Sequence, residues 1–207
     1  GYGLSFAAMN NSRSVEAAFW EWFKQNDDAL WRFESNQEAV FDSLLKQLQK
    51  VHRDLTFEIG PEESGVREFV ISAGGMKAAF PAVESLVDAA PTLPRWKFIK
   101  FRQRREDMFV VSLGDVSFYP DEVMCTLELN GNKVDITLFL GAEEDFDDSL
   151  RQQVGFLFLD AALGEYAVEM FVGYIEILPA EASSPLTKQP LKNLAAEFDR
   201  LVKTMAN

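Results

Sequence analysis

The sequence predicts an α+β protein whose mixed, largely antiparallel sheet is built from two hairpin-helix-strand units, with N-terminal helices and a C-terminal helix packed on it. Three observations carry this. Apolar residues recur at helical spacing from Ser14 to Val51 and again from Leu191 onward. Between those stretches the period drops to two in several short runs. The order hairpin, helix, strand then occurs twice, at about residues 54–103 and 123–180, a likeness of element order and not of residue identity.

Ser14 is an N-cap for a first helix in which Phe19, Trp22 and Phe23 turn inward and Trp20 points elsewhere. A short helical piece carries Leu30, Trp31 and Phe33, and a longer helix from about Asn36 to Val51 aligns Val40, Leu44, Leu45 and Leu48. "DLTFEIG" and "VREFVISAGG" then read as a hairpin about the loop "GPEESG", with Leu55, Phe57 and Ile59 inward. In the helix that follows, Phe80, Val83, Leu86 and Val87 share a face, and Pro81 sits in the first turn or marks a kink. "RWKFIKFRQ" closes the first unit as a strand that is apolar on both faces, as a central strand would be.

The second unit begins with two alternating runs about "NGN", the strongest hairpin signal in the chain. Next comes a helix with acids at its start and Gly164 at its end, and "VGYIEILPA" as the returning strand. Two such units side by side would make one twisted sheet. "EASSPLTKQP" is a linker to a closing helix that uses Leu191, Leu194, Ala195, Phe198, Leu201 and Val202.

A chain of 207 residues buries roughly 70% of its unfolded surface without help from disulfide or metal. We therefore expect one α+β domain over 14–207, preceded by a flexible N-terminal extension over 1–13 in which Met9 is a candidate true start. The lone Cys125 excludes an intramolecular disulfide and a cysteine-based zinc site, and it fits a reducing compartment, cytoplasmic by default. No run has the length of a membrane span, and the first residues lack the basic start of a signal peptide. A formal net charge of −13 repels phosphate backbones and anionic lipid, so neither generic nucleic acid nor a membrane surface is an expected partner.

The stretches "FWEWF", "LTFEIG", "REFVISAGG", "AAPTLPRW", "FRQRR" and "LGEY" resemble the pattern of an uncharacterised family of bacterial domains, over roughly Phe19 to Leu178. The resemblance implies a soluble bacterial protein and brings no functional residues with it.

Catalytic signals are sparse. His52 is the sole histidine, which rules out a two-histidine ligand set, and Cys125 lies inside a predicted strand, where an inert thiol is commoner than a nucleophile. Glu58 and Glu68 fall on adjacent strands of the first hairpin. Facing each other they would raise one pKa and form the carboxylate pair of a hydrolase or transferase, with an arginine positioning substrate; otherwise basic residues pair each across the sheet. "EEDFDD" (143–148) lacks the spaced ligands and glycine of an EF-hand and reads as a helix start. "SAGGMK" matches neither phosphate-loop pattern and reads as a turn with positive φ at Gly74 or Gly75. No metal or cofactor is expected.

Positive charge has one conspicuous concentration. "RWKFIKFRQRR" holds six of the chain's 20 basic residues. If the strand ran on, Arg102 and Arg104 would share one face and Arg105 the other, emerging together where it leaves the core. The expected function is accordingly a non-catalytic binding or protein-interaction module. Arg102, Arg104 and Arg105, beside Gly74 and Gly75, would contact a protein partner or a small anionic ligand. A homodimer through exposed aromatics such as Trp20 or Trp31 is a further expectation.

Overall fold

The computed structural model of the chain describes residues 13–141 and 147–206. Met9 and nearly all of the expected extension, together with most of the acidic run that begins at Glu143, lie outside the described residues. The chain gathers into two compact units. One runs to Gly74 and resumes over Ala78–Lys100; the other takes Gly75–Lys77 and everything described from Phe101 on. The class is α+β, with helices at both ends and mixed, largely antiparallel sheets.

In the first unit the hydroxyl of Ser14 accepts from Ala17 N at 3.1 Å and starts α1 (Val15–Gln25). The chain then forms α2 (Asp27–Trp31), a 3-10 turn (Phe33–Asn36), α3 (Gln37–Val51), β1 (Thr56–Ile59), β2 (Arg67–Ser72), α4 (Phe80–Asp88) and β3 (Trp96–Lys100). Pro81 sits in the first turn of α4, where its missing N–H costs nothing. The aromatic residues of α1 face the sheet: the Phe23 ring meets those of Phe69, Trp96 and Phe98 edge-on, with centroids 5.1–5.4 Å apart. Trp20 is not an exposed dimer contact. It is buried, and its indole N–H donates to Leu86 O at 2.7 Å, which ties α1 to α4. Trp31 is half-buried, with the guanidinium groups of Arg67 and Arg95 both about 5 Å from its ring.

In the second unit a small hairpin, β4 (Val111–Leu113) and β5 (Val116–Phe118), precedes β6 (Met124–Asn130) and β7 (Lys133–Phe139). After these come α5 (Asp148–Leu163), α6 (Glu165–Phe171), β8 (Val172–Leu178), β9 (Gln189–Pro190) and α7 (Leu194–Met205). Asp147 caps α5 by accepting from Ser149 N, so the described end of the acidic run does start a helix. The core is formed by inward residues of β6 and β7, with Val154, Phe158 and Leu159 of α5 and Leu194, Phe198 and Leu201 of α7.

The strands do not merge into the one sheet expected from the sequence. They form β1-β2-β3, β4-β5 and β8-β7-β6-β9. The reason is local closure: in each unit the strand after the helix returns to pair parallel with the second strand of its own hairpin, β3 on β2 and β8 on β7. The repeated element order is thus also a repeated pairing order. It makes β2 the central strand of the first sheet and β3 an edge, not the central strand its composition implied. Helices supply the apolar demand on β3, since Phe98 meets Trp20 and Phe23 of α1 while α4 packs on the strand.

Candidate functional site

The basic run does not continue as a strand. β3 stops at Lys100, and Phe101 takes a φ of 62°, a left-handed conformation rare for a bulky residue. Beyond it, the chain lies along the carbonyl end of α5. Arg105 N donates to Ala161 O at 2.8 Å, and Arg104 Nε donates to Leu163 O at 3.0 Å. Cationic donors at a helix C-terminus satisfy its last carbonyls and its dipole. Arg104 also holds both carboxylate oxygens of Asp199 on α7, at 2.7 and 2.8 Å, which depresses the Asp199 pKa below its ordinary value. Arg102 lies 3.5 Å from Asp160, and Arg105 sits over the Phe109 ring at 4.6 Å. Of the charge that stood out in the sequence, Arg102 and Arg104 pair with acids of α5 and α7, and Arg105 covers the Phe109 ring.

Glu165, at the start of α6, is 1% exposed. Its carboxylate accepts from Gly75 N at 2.9 Å and from Arg102 N at 3.3 Å, while its own N–H donates to Arg102 O at 3.0 Å. Gly74 and Gly75 adopt positive φ (59° and 78°), as the turn reading requires. Their amides are already engaged, Gly74 N by Ser72 Oγ at 3.0 Å and Gly75 N by Glu165. Glu165→Ala is expected to cost about 2–4 kcal/mol in urea unfolding, because two amides lose a charged acceptor in a place water reaches poorly. Glu165→Gln, which keeps one acceptor oxygen, should cost less; equal costs would contradict this account.

Two neighbouring carboxylates are shifted the other way. Burial raises the Asp160 pKa, with Glu165 adding to it and Arg102 opposing; burial also raises that of Glu169, with Asp160 and Glu165 adding and Lys77 opposing. Both groups bind protons more tightly folded than unfolded. Their effect on stability therefore becomes unfavourable as pH rises from the ordinary carboxylate value through the raised one. Asp199 acts oppositely: its contribution is present above the ordinary value and lost as pH falls below it. Relative to the parent, the double variant D160N/E169Q should shift the slope of stability against pH, between about 4 and 7, in the positive direction. Urea midpoints across that range check it, and an unchanged slope would refute it.

Glu58 and Glu68 share a face of the first sheet but do not oppose each other. Glu58 is opposite Val70, and Gly60 bonds to Glu68, which leaves the two acids offset by two positions. Glu68 lies across from Lys97 on β3 and pairs with it at 3.8 Å. The acids also line different hollows. Cys125 is fully buried, its thiol pushed up to about 12 chiefly by desolvation. His52 closes α3, its Nδ1 accepting from Asp54 N at 3.1 Å. Among the described residues, no group of three or more His, Cys, Asp or Glu side chains is placed to hold a metal ion, and no helix is long and apolar enough to cross a membrane.

An open concavity lies elsewhere, in the first unit, along the edge of β1 that has no strand partner among the described residues. A hollow of about 620 Å³ has Thr56, Phe57, Glu58 and Ile59 as one wall, with Phe33, Gln37, Phe41, Asp42 and Leu45 as the other. Phe33, Gln37, Phe41 and Leu45 follow one another at intervals of four, a single ridge of the helical segment. Phe41 stacks on Phe33 at 5.3 Å and meets Phe57 edge-on at 5.0 Å, so the floor is aromatic. Leu44 and Leu48, a step around α3, are the residues that enter the core. Leu45, which the sequence places with them, faces the hollow instead. The sequence carried half of this signal in the ridge spacing; that the ridge would lie beside an unpaired strand is a tertiary fact. No family model, curated protein or solved structure matches the chain, so the geometry alone carries the functional reading.

Proposed function

We propose that the protein is a non-catalytic interaction module that takes a short extended segment of a partner protein in the groove between α3 and β1. The single observation that carries this reading is the coincidence of an aromatic-floored hollow with a strand edge left unpaired among the described residues. Extended peptides bind such places through main-chain hydrogen bonds, while side-chain pockets select among them. A lone buried thiol fits a reducing compartment, which favours a cytoplasmic setting.

Contact with an anion or acidic partner through Arg102, Arg104 and Arg105 beside Gly74 and Gly75 has less support. Arg104 is bidentate on Asp199, Arg102 lies against Asp160, and the glycine amides have acceptors. A hydrolase or transferase centred on Glu58 and Glu68 has less again, since the two line separate hollows.

The test is selection of a random peptide display library on the parent protein, followed by binding to Gln37→Trp. Gln37 lines the hollow on the first turn of α3, so an indole there fills the groove without touching the buried face. Peptides recovered on the parent should lose affinity at least tenfold on the variant, while the unfolding midpoint stays put. Failure to enrich any peptide, or undiminished binding to the variant, would sink the proposal.

A further inference from the structure

Resting on that reading, we infer the chemistry of the segment: a β-strand that adds to the free edge of β1 and alternates apolar with basic side chains. Backbone direction is fixed by the register. Gly60 N donates to Glu68 O at 2.9 Å, so Thr56, Glu58 and Gly60 direct their amides at β2, and alternation directs those of Phe57 and Ile59 away from it. The other side of β2 is consistent, since Arg67 N donates to Arg95 O and the odd residues of β2 face β3. Phe57 and Ile59 thus offer two donors and two acceptors along the free edge, with the hollow beside them.

Side-chain alternation then splits the incoming strand into two rows. One row shares the face of Phe57 and Ile59 and enters the hollow against Phe33, Phe41 and Leu45, which demands apolar groups. The other shares the face of Glu58. Both acids of the hollow, Glu58 and Asp42, are exposed and have no ion pair with any described residue, and no Lys or Arg lines the hollow. Elsewhere in the unit Arg67 holds Glu34, Arg95 holds Asp27 and Asp28, and Lys97 holds Glu68. Glu58, unneutralised beside the open edge, calls for lysine or arginine on the second row, and Asp42 on the helical wall adds to the negative field. A short edge strand with a central charge is also how proteins avoid indiscriminate pairing. Here the same charge discriminates, repelling acidic strands and admitting basic ones.

The probes are two blocked heptapeptides, Thr-Val-Lys-Val-Lys-Val-Thr and the same sequence with Glu at both Lys positions, titrated into isotope-labelled protein by NMR. The lysine peptide should bind at least tenfold more tightly than the glutamate peptide, more weakly as salt is raised. It should slow hydrogen exchange at the Phe57 and Ile59 amides while leaving Glu58, already bonded to β2, unchanged. Glu58→Lys, an exposed substitution that leaves the fold intact, should invert the preference. Equal affinity for the two peptides, binding without slowed exchange at Phe57 and Ile59, or no binding of either would each overturn the inference. So would concentration-dependent protection of those amides in the free protein, which assigns the edge to a second copy of the chain. If neither peptide binds but library selection still yields peptides lost on Gln37→Trp, the groove reading survives and only its chemistry fails; with no such peptides, both fall.

Discussion

Replacing Phe23 by alanine is expected to lower the unfolding free energy by about 3–5 kcal/mol, the largest effect of any single change considered. The side chain is fully buried, and the rings of Trp20, Phe69, Trp96 and Phe98 all meet it edge-on. Two terms add: the transfer free energy of the lost ring, and a cavity that persists because its walls are themselves rigid rings held from several elements. Trp96 cannot easily lean in, since its indole N–H is bonded to Asp27 at 2.7 Å, and Trp20 is bonded to Leu86 O. Phe23→Leu refills part of the space and should cost about 1–2 kcal/mol. Urea unfolding followed by tryptophan fluorescence checks both, and similar costs for alanine and leucine would show that the site collapses and that the ring contacts carry little.

Gly164→Ala is expected to cost about 2–4 kcal/mol, far more than an ordinary glycine substitution at a helix end. The backbone there has φ 81° and ψ 154°, a region open in practice only to glycine. An added Cβ would also lie 3.3 Å from both Arg102 O and Arg104 N. Those are backbone atoms, pinned by the bond from Glu165 N to Arg102 O and the bond from Arg105 N to Ala161 O. They cannot swing aside as the end of a side chain can. Gly74→Ala is the control: its φ is also positive, but nothing lies within 4 Å of the added carbon, so it should cost about 1 kcal/mol. Equal effects from the two would place the penalty in backbone conformation alone and not in the close approach of the 102–104 segment.

Elements governed by local chemistry were legible in the sequence. Ser14 capped the helix it promised, Pro81 fell in a first turn, and the Gly131 turn joins Asn130 to Lys133 as the "NGN" signal required. The repeated order of elements was legible as well, and the pairings followed it. What escaped depended on contacts distant in sequence. The basic run looked like a strand extension because nothing local announces that Phe101 turns left-handed; the acceptor that meets the next amide, Arg102 N, is Glu165, sixty-odd residues on. The β4-β5 hairpin was overlooked although "SLGDVSF" offers a two-residue Gly-Asp turn between alternating residues. The helix α6 went unread because its sequence, "EYAVEMF", continues past Gly164 without an obvious fresh start. Of the candidate site, Glu58 was singled out for the wrong company: it was weighed against Glu68, whereas the hollow sets it opposite Asp42 and the aromatic ridge of α3.

The lone thiol of Cys125 gives the molecule a built-in clock. Shielded from solvent on β6 and reluctant to ionise, it is inert to alkylating or thiol-exchange reagents for as long as its surroundings hold. Its modification rate in excess reagent therefore times the openings that uncover it. A chain without engineered labels thus reports its own breathing, and any variant that loosens β6 should be read out as a faster-reacting thiol before it registers as a lower melting point.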